Sequence, residues 1–157
     1  MSSNKRAPEG ELPTGTPTSA SLVVCSTCRF SSAAREDAIG RTGGVVWRDQ
    51  LEQTLSSHSL GTRLVIEAMP CLFACREHCT LFLRSPGRLG YLLGRFAPSV
   101  EAANALLDFA SAYLDTEDGY VRYAHWPEGI KGHFIARVPP EGRLWPVGDA
   151  TVTSSIS

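Results

Sequence analysis

From residue 21 to residue 115 the apolar positions fall into runs that define elements. Ser21-Leu22-Val23-Val24-Cys25 is a short, β-branched apolar run and predicts a buried strand. In 46–60, Val46, Leu51 and Leu55 recur near helical spacing beside Trp47, which predicts a helix that Gly61 stops. Leu64-Val65-Ile66-Glu67-Ala68 predicts a second strand, ended by Pro70. The runs 80–84 and 89–94 flank Ser85-Pro86-Gly87-Arg88 and predict a β-hairpin. Ser99 is placed as an N-cap. Behind it Ala103, Leu106, Leu107, Ala110 and Tyr113 repeat at i, i+3, i+4, i+7 and i+10, which predicts a helix over 100–114. Asp118-Gly119 is read as the turn that follows. The pieces 120–123 and 133–138 are too short, among Pro and Gly, to set an element.

The order is strand, helix, strand, cysteine loop, hairpin, helix. This is the β-α-β-β-α order of a thioredoxin-like domain, so an α/β fold is expected. Residues 1–20 hold Pro8, Pro13 and Pro17 with few apolar groups and are expected to be a disordered N-terminal tail. The domain is expected over 21–140, with a C-terminal extension and a tail at 141–157. Length supports one domain with a core that needs no disulfide staples.

Apolar residues make up 43% and charged residues 20%, and the net charge is −1, so there is no basic excess to hold nucleic acid. No run of about 18 apolar residues is present, so no membrane span is expected. The first residues lack the apolar stretch of roughly 7–15 that an export signal needs, so the cytoplasm is the expected compartment. Thiols stay reduced there, which favours metal or redox roles for clustered cysteines.

Five cysteines fall into two groups: Cys25 and Cys28 as CxxC, and Cys71, Cys75 and Cys79 as CxxxCxxxC. Sulfurs two or three residues apart on a loop can turn to one point, and two such pairs close a thiolate site. Each group follows a predicted strand, so in a parallel pair both loops meet at one sheet edge. Five isolated core thiols are the ordinary alternative, to which close grouping gives about one chance in ten. Zinc would accept Cys25 and Cys28 with two of Cys71, Cys75, His78 and Cys79. A [2Fe–2S] cluster wants four thiolates, and CxxC alone could be a dithiol pair.

These residues resemble a known group. Cys71-Leu72-Phe73-Ala74-Cys75, followed by an apolar strand, a Gly turn and a helix, is similar to the thioredoxin-like [2Fe–2S] ferredoxins and to the ferredoxin-like subunit of respiratory complex I. More closely, Val24-Cys25-Ser26-Thr27-Cys28-Arg29, the Cys71 to Thr80 block, the Gly94 segment and Ala136-Arg137-Val138-Pro139-Pro140 resemble an uncharacterised bacterial family of predicted metal-binding proteins. The resemblance spans roughly residues 21–140. It implies Cys25, Cys28, Cys71 and Cys75 as ligands, with Cys79 a spare thiol, a swapped ligand or a core residue. It also implies a redox partner protein, allows a homodimer, and hints at cobalamin metabolism. The CxxC spacing is tighter than in those ferredoxins, and Cys79 is extra.

The expected function is therefore one-electron transfer by a non-catalytic carrier. The rivals are a zinc- or cobalt-binding delivery protein and a dithiol oxidoreductase. His78 is read as a solvated loop residue over a ligand by about two to one, because thiolates already suffice. Arg29 and Arg76 could lower thiol pKa values or be surface charges. His125, Trp126, His133 and Trp145 are read as cover for the core, Tyr91 as packing, and Gly94 as a backbone position. Arg41-Thr42-Gly43-Gly44 is too weak to be a phosphate loop.

Overall fold

The computed structural model describes residues 20–142. The expected tails, save Ala20, Glu141 and Gly142, lie outside the described residues. The strands are β1 (Ala20–Cys25), β2 (Leu64–Met69), β3 (Leu81–Arg84), β4 (Gly90–Leu93) and β5 (Phe134–Val138). The α-helices are α1 (Gly43–Leu55) and α2 (Val100–Leu114). The five strands form one mixed sheet in the order β2-β1-β3-β4-β5. β1 and β2 are parallel, and every other neighbouring pair is antiparallel.

β1 is a near-continuous apolar run because it sits inside the sheet, and every residue but Ser21 is buried. Leu22 lies opposite Leu83, and Leu83 opposite Tyr91; Val24 lies opposite Leu81, and Leu81 opposite Leu93. These side chains form one sheet face, against which Trp47 and Leu51 of α1 and Leu106, Phe109 and Ala110 of α2 complete the core. The Tyr91 ring meets Phe109 edge-on at 5.3 Å. Its hydroxyl, like that of Tyr113, donates to a main-chain carbonyl, so both bury their rings without leaving a polar atom unmet.

α2 has the bounds its spacing predicts. Ser99 is extended, and its side chain accepts from Ala102 N–H at 3.0 Å, which fixes the first turn. α1 differs from expectation. It starts at Gly43, three residues early, because Thr42 caps it by accepting from Val45 N–H. It also ends at Leu55, well before Gly61, which at φ +55° opens a short 3-10 turn. β1 likewise takes in Ala20, one residue beyond the expected domain start. The stretch that set no element supplies β5, which extends the sheet along β4 with an irregularity at Leu92/Leu93. Half-exposed edge strands carry little apolar signal, and this one finds its partner some 45 residues away.

Candidate metal centre

Cys25 lies opposite Met69 in the β1–β2 register, so the chain leaves both parallel strands at one edge of the sheet. β3 starts there too, with Cys25 N–H donating to the Thr80 carbonyl at 3.0 Å. The Cys25–Cys28 turn is tied to the second loop by Ser26 N–H donating to Met69 O (2.8 Å) and by the Thr27 hydroxyl donating to Pro70 O. Thus the loops that carry Cys25, Cys28, Cys71 and Cys75 stand side by side.

α1 points its N-terminus at the same turn. Gly44 N–H donates to Cys28 O at 3.2 Å, and the Thr42 hydroxyl donates to Ser26 O at 2.9 Å. A Cβ on Gly44 would lie 2.0 Å from Cys25 O, and one on Gly43 2.0 Å from Arg29 O. Only glycine permits this approach, and it brings the positive helix end against the CxxC turn. The Gly-Gly pair, set aside in the sequence as too weak for a phosphate loop, is thus part of the site's support.

Cys71 Sγ and Cys75 Sγ are 3.8 Å apart. Cys25 and Cys28 lie close enough that each shifts the titration of the other. The Phe73 N–H donates to Cys71 Sγ at 3.2 Å, and the backbone of Leu72 and Thr27 lowers the pKa of Cys25 as that of Thr80 does for Cys28. The buried Thr80 hydroxyl lies 3.0 Å from Cys28 Sγ. The hydrogen bond from Cys28 is the main reason the Cys25 thiol is held down to about 5, against the opposing effect of burial. Donating that bond, together with burial, pushes Cys28 well up. The hydrogen bond and charge of Cys71 raise Cys75. The influences that lower Cys25 are hydrogen bonds, not the neighbouring arginines.

Cys79 stands apart. Its thiol is buried and donates to Arg29 O and Phe30 O, at 3.7 Å each, and burial pushes it up to about 12. The His78 carbonyl accepts from Arg95 N–H, while its Nδ1 is buried without a partner among the described residues. His133 packs flat on Phe96 at 4.2 Å and hydrogen-bonds Gly94 O. Trp145 lies outside the described residues.

Among the described residues no group of three or more His, Cys, Asp or Glu side chains gathers around a single point fit for one metal ion. The sulfurs stand as two pairs instead. Thr80, Thr27 and Phe73 carry no signal in the sequence, because their importance lies in what the fold sets beside them. Phe73, at φ 64°, holds the Cys71 sulfur with its N–H while its ring is 94% exposed.

Fold and edge together define the class: a mixed α/β domain with a five-stranded sheet, whose cysteines gather on loops at one sheet edge. No helix among the described residues is long and apolar enough to cross a membrane. The chain belongs to the family described as protein of unknown function DUF1636, whose model matches residues 22–140. No curated protein and no solved structure matches it.

Proposed function

We propose that the chain is a ferredoxin-like electron carrier that holds a [2Fe–2S] cluster through Cys25, Cys28, Cys71 and Cys75. The observation that carries this reading is the division of four thiols into two pairs on adjoining loops. A metal–sulfur bond of about 2.3 Å makes the S···S edge of a tetrahedral site about 3.8 Å. The Cys71–Cys75 separation is 3.8 Å, so that pair suits one metal of a two-metal centre. A single zinc ion would want all its donors around one point, and no such group stands among the described residues. The strand order β2-β1-β3-β4, with β1 parallel to β2 and antiparallel to β3, supports the thioredoxin-like reading, to which β5 is an addition.

When bound, the cluster supplies a centre that takes up and returns one electron. The chain's own groups stabilise the added negative charge. The Phe73 N–H donates to Cys71 Sγ, the backbone of Thr27, Leu72 and Thr80 favours the thiolates of Cys25 and Cys28, and the N-terminus of α1 faces the CxxC turn. The partner is then a redox protein that meets the edge where Cys75 is exposed. A dithiol oxidoreductase needs an accessible attacking sulfur, whereas Cys25 is 1% exposed and Cys28 3%.

Protein purified without oxygen is expected to absorb in the visible and to carry about two irons per chain. Colourless protein with one zinc sinks the proposal. Thr80→Val keeps the shape and removes the hydroxyl beside Cys28 Sγ. It is expected to lower the midpoint potential by roughly 40 mV, the equivalent of about 1 kcal/mol for one electron. A redox titration that finds the same potential in both proteins means the hydroxyl does not donate to the cluster sulfur.

A further inference from the structure

The sheet carries a second candidate site away from the cysteines. Tyr91 of β4 pairs with Arg137 of β5, whereas the cysteine edge is the end where Leu93 pairs with Leu81. Beside Tyr91 lies a hollow of about 170 Å³, walled by Tyr91, Tyr120, Tyr123, Trp126, Phe134 and Arg137. The Tyr91 hydroxyl is committed to Gly119 O at 2.7 Å, and Trp126 Nε1 to Val121 O at 2.9 Å. The Arg137 guanidinium lies 5.5 Å over the Tyr120 ring and has no carboxylate partner among the described residues. No acidic residue lines the hollow.

We propose that this hollow binds a single-ring aromatic carboxylate, its ring on the aromatic walls and its carboxylate on Arg137. Three features select that class. The volume is well below the roughly 300–1,000 Å³ of pockets for drug-sized ligands, which leaves room for about one ring. Five aromatic side chains offer faces and edges that suit another π-system better than an aliphatic chain. A five-donor guanidinium that also acts on the Tyr91 hydroxyl but has no carboxylate partner among the described residues, in a hollow that no acid lines, matches a carboxylate in a two-pronged geometry. A cationic ligand is disfavoured, because Arg137 and Lys131 already stand over the Tyr120 and Tyr123 rings, the latter at 4.7 Å.

The test uses the full chain and benzoate as the probe, followed by nuclear magnetic resonance at the indole N–H signals. Saturable benzoate shifts at Trp126 are expected, with benzylamine giving none. Arg137→Met is expected to weaken benzoate about tenfold or more, as loss of a charge-assisted pair requires. It should leave the unfolding temperature nearly unchanged, because Arg137 is exposed. Cys28→Ala should bind benzoate as the parent does, so the result stands apart from the iron–sulfur reading. The proposal is overturned if benzoate gives no saturable shift, if benzylamine binds as tightly, or if Arg137→Met binds benzoate unchanged.

Discussion

Gly44→Ala is expected to be, with Gly43→Ala, among the most damaging single-methyl changes in this protein. The added Cβ would sit 2.0 Å from Cys25 O and 2.7 Å from the Ser26 backbone. The obstacle is main chain, so no side chain can swing aside. Either α1 withdraws from the CxxC turn, breaking the Gly44 N–H to Cys28 O bond, or the turn leaves Met69. Overpacking of this kind costs on the order of 3 kcal/mol, a large part of a small domain's stability. The unfolding temperature should fall by roughly 10 °C. Gly40→Ala is the control. Gly40 has φ +87° with open space around it, so alanine there suffers only left-handed backbone strain, about 1 kcal/mol. Equal melting temperatures for the two variants would show that α1 does not press on the turn.

The second large effect separates Cys28 from Cys79. Both are buried, and both are within one or two residues of an arginine or threonine in the sequence, so sequence position does not rank them. Their surroundings do. Cys28 shares a hydrogen bond with Cys25 and meets Thr80, on the side of the paired sulfurs. Cys79 is turned to the carbonyls of Arg29 and Phe30. On the proposed function, Cys28→Ala is expected to drop iron from about two per chain to near zero, with loss of visible colour. Cys79→Ala should keep both irons while losing about 1–3 kcal/mol of stability, since two carbonyls lose their donor. Iron lost from Cys79→Ala and kept in Cys28→Ala would reverse the ligand assignment.

Local signals account for what the chain disclosed before folding. The spacing of Ala103, Leu106, Leu107, Ala110 and Tyr113 behind the Ser99 cap gave α2 its bounds. The run Leu22-Val23-Val24-Cys25 gave a central strand, because burial on both faces removes alternation. CxxC and CxxxC marked the sulfur pairs. Features made by distant segments stayed hidden. Gly43 and Gly44 lower helix propensity, yet they open α1, since contact with Cys25 and Arg29 outweighs propensity. β5 shows a weak pattern, as an edge strand half in solvent does. Thr80 is an ordinary residue before a strand until β1 sets Cys28 beside it. The aromatic hollow joins β4 to residues some 30–45 positions later, beyond the reach of any local motif.

The pairing of Cys25 with Met69 in adjacent parallel strands also dictates a schedule for biogenesis. During synthesis Cys25 and Cys28 leave the ribosome ahead of Cys71 and Cys75, by the few seconds it takes to add the intervening residues at roughly 5–20 per second. β1 alone is an apolar run with no neighbour, and it gains β2 and β3 only once residues near 84 have emerged. Two thiols therefore spend that interval exposed in the nascent chain, where stray metals and oxidants can reach them. Any centre that needs both loops is assembled after this point, which makes maturation a step that follows translation of β1 to β3.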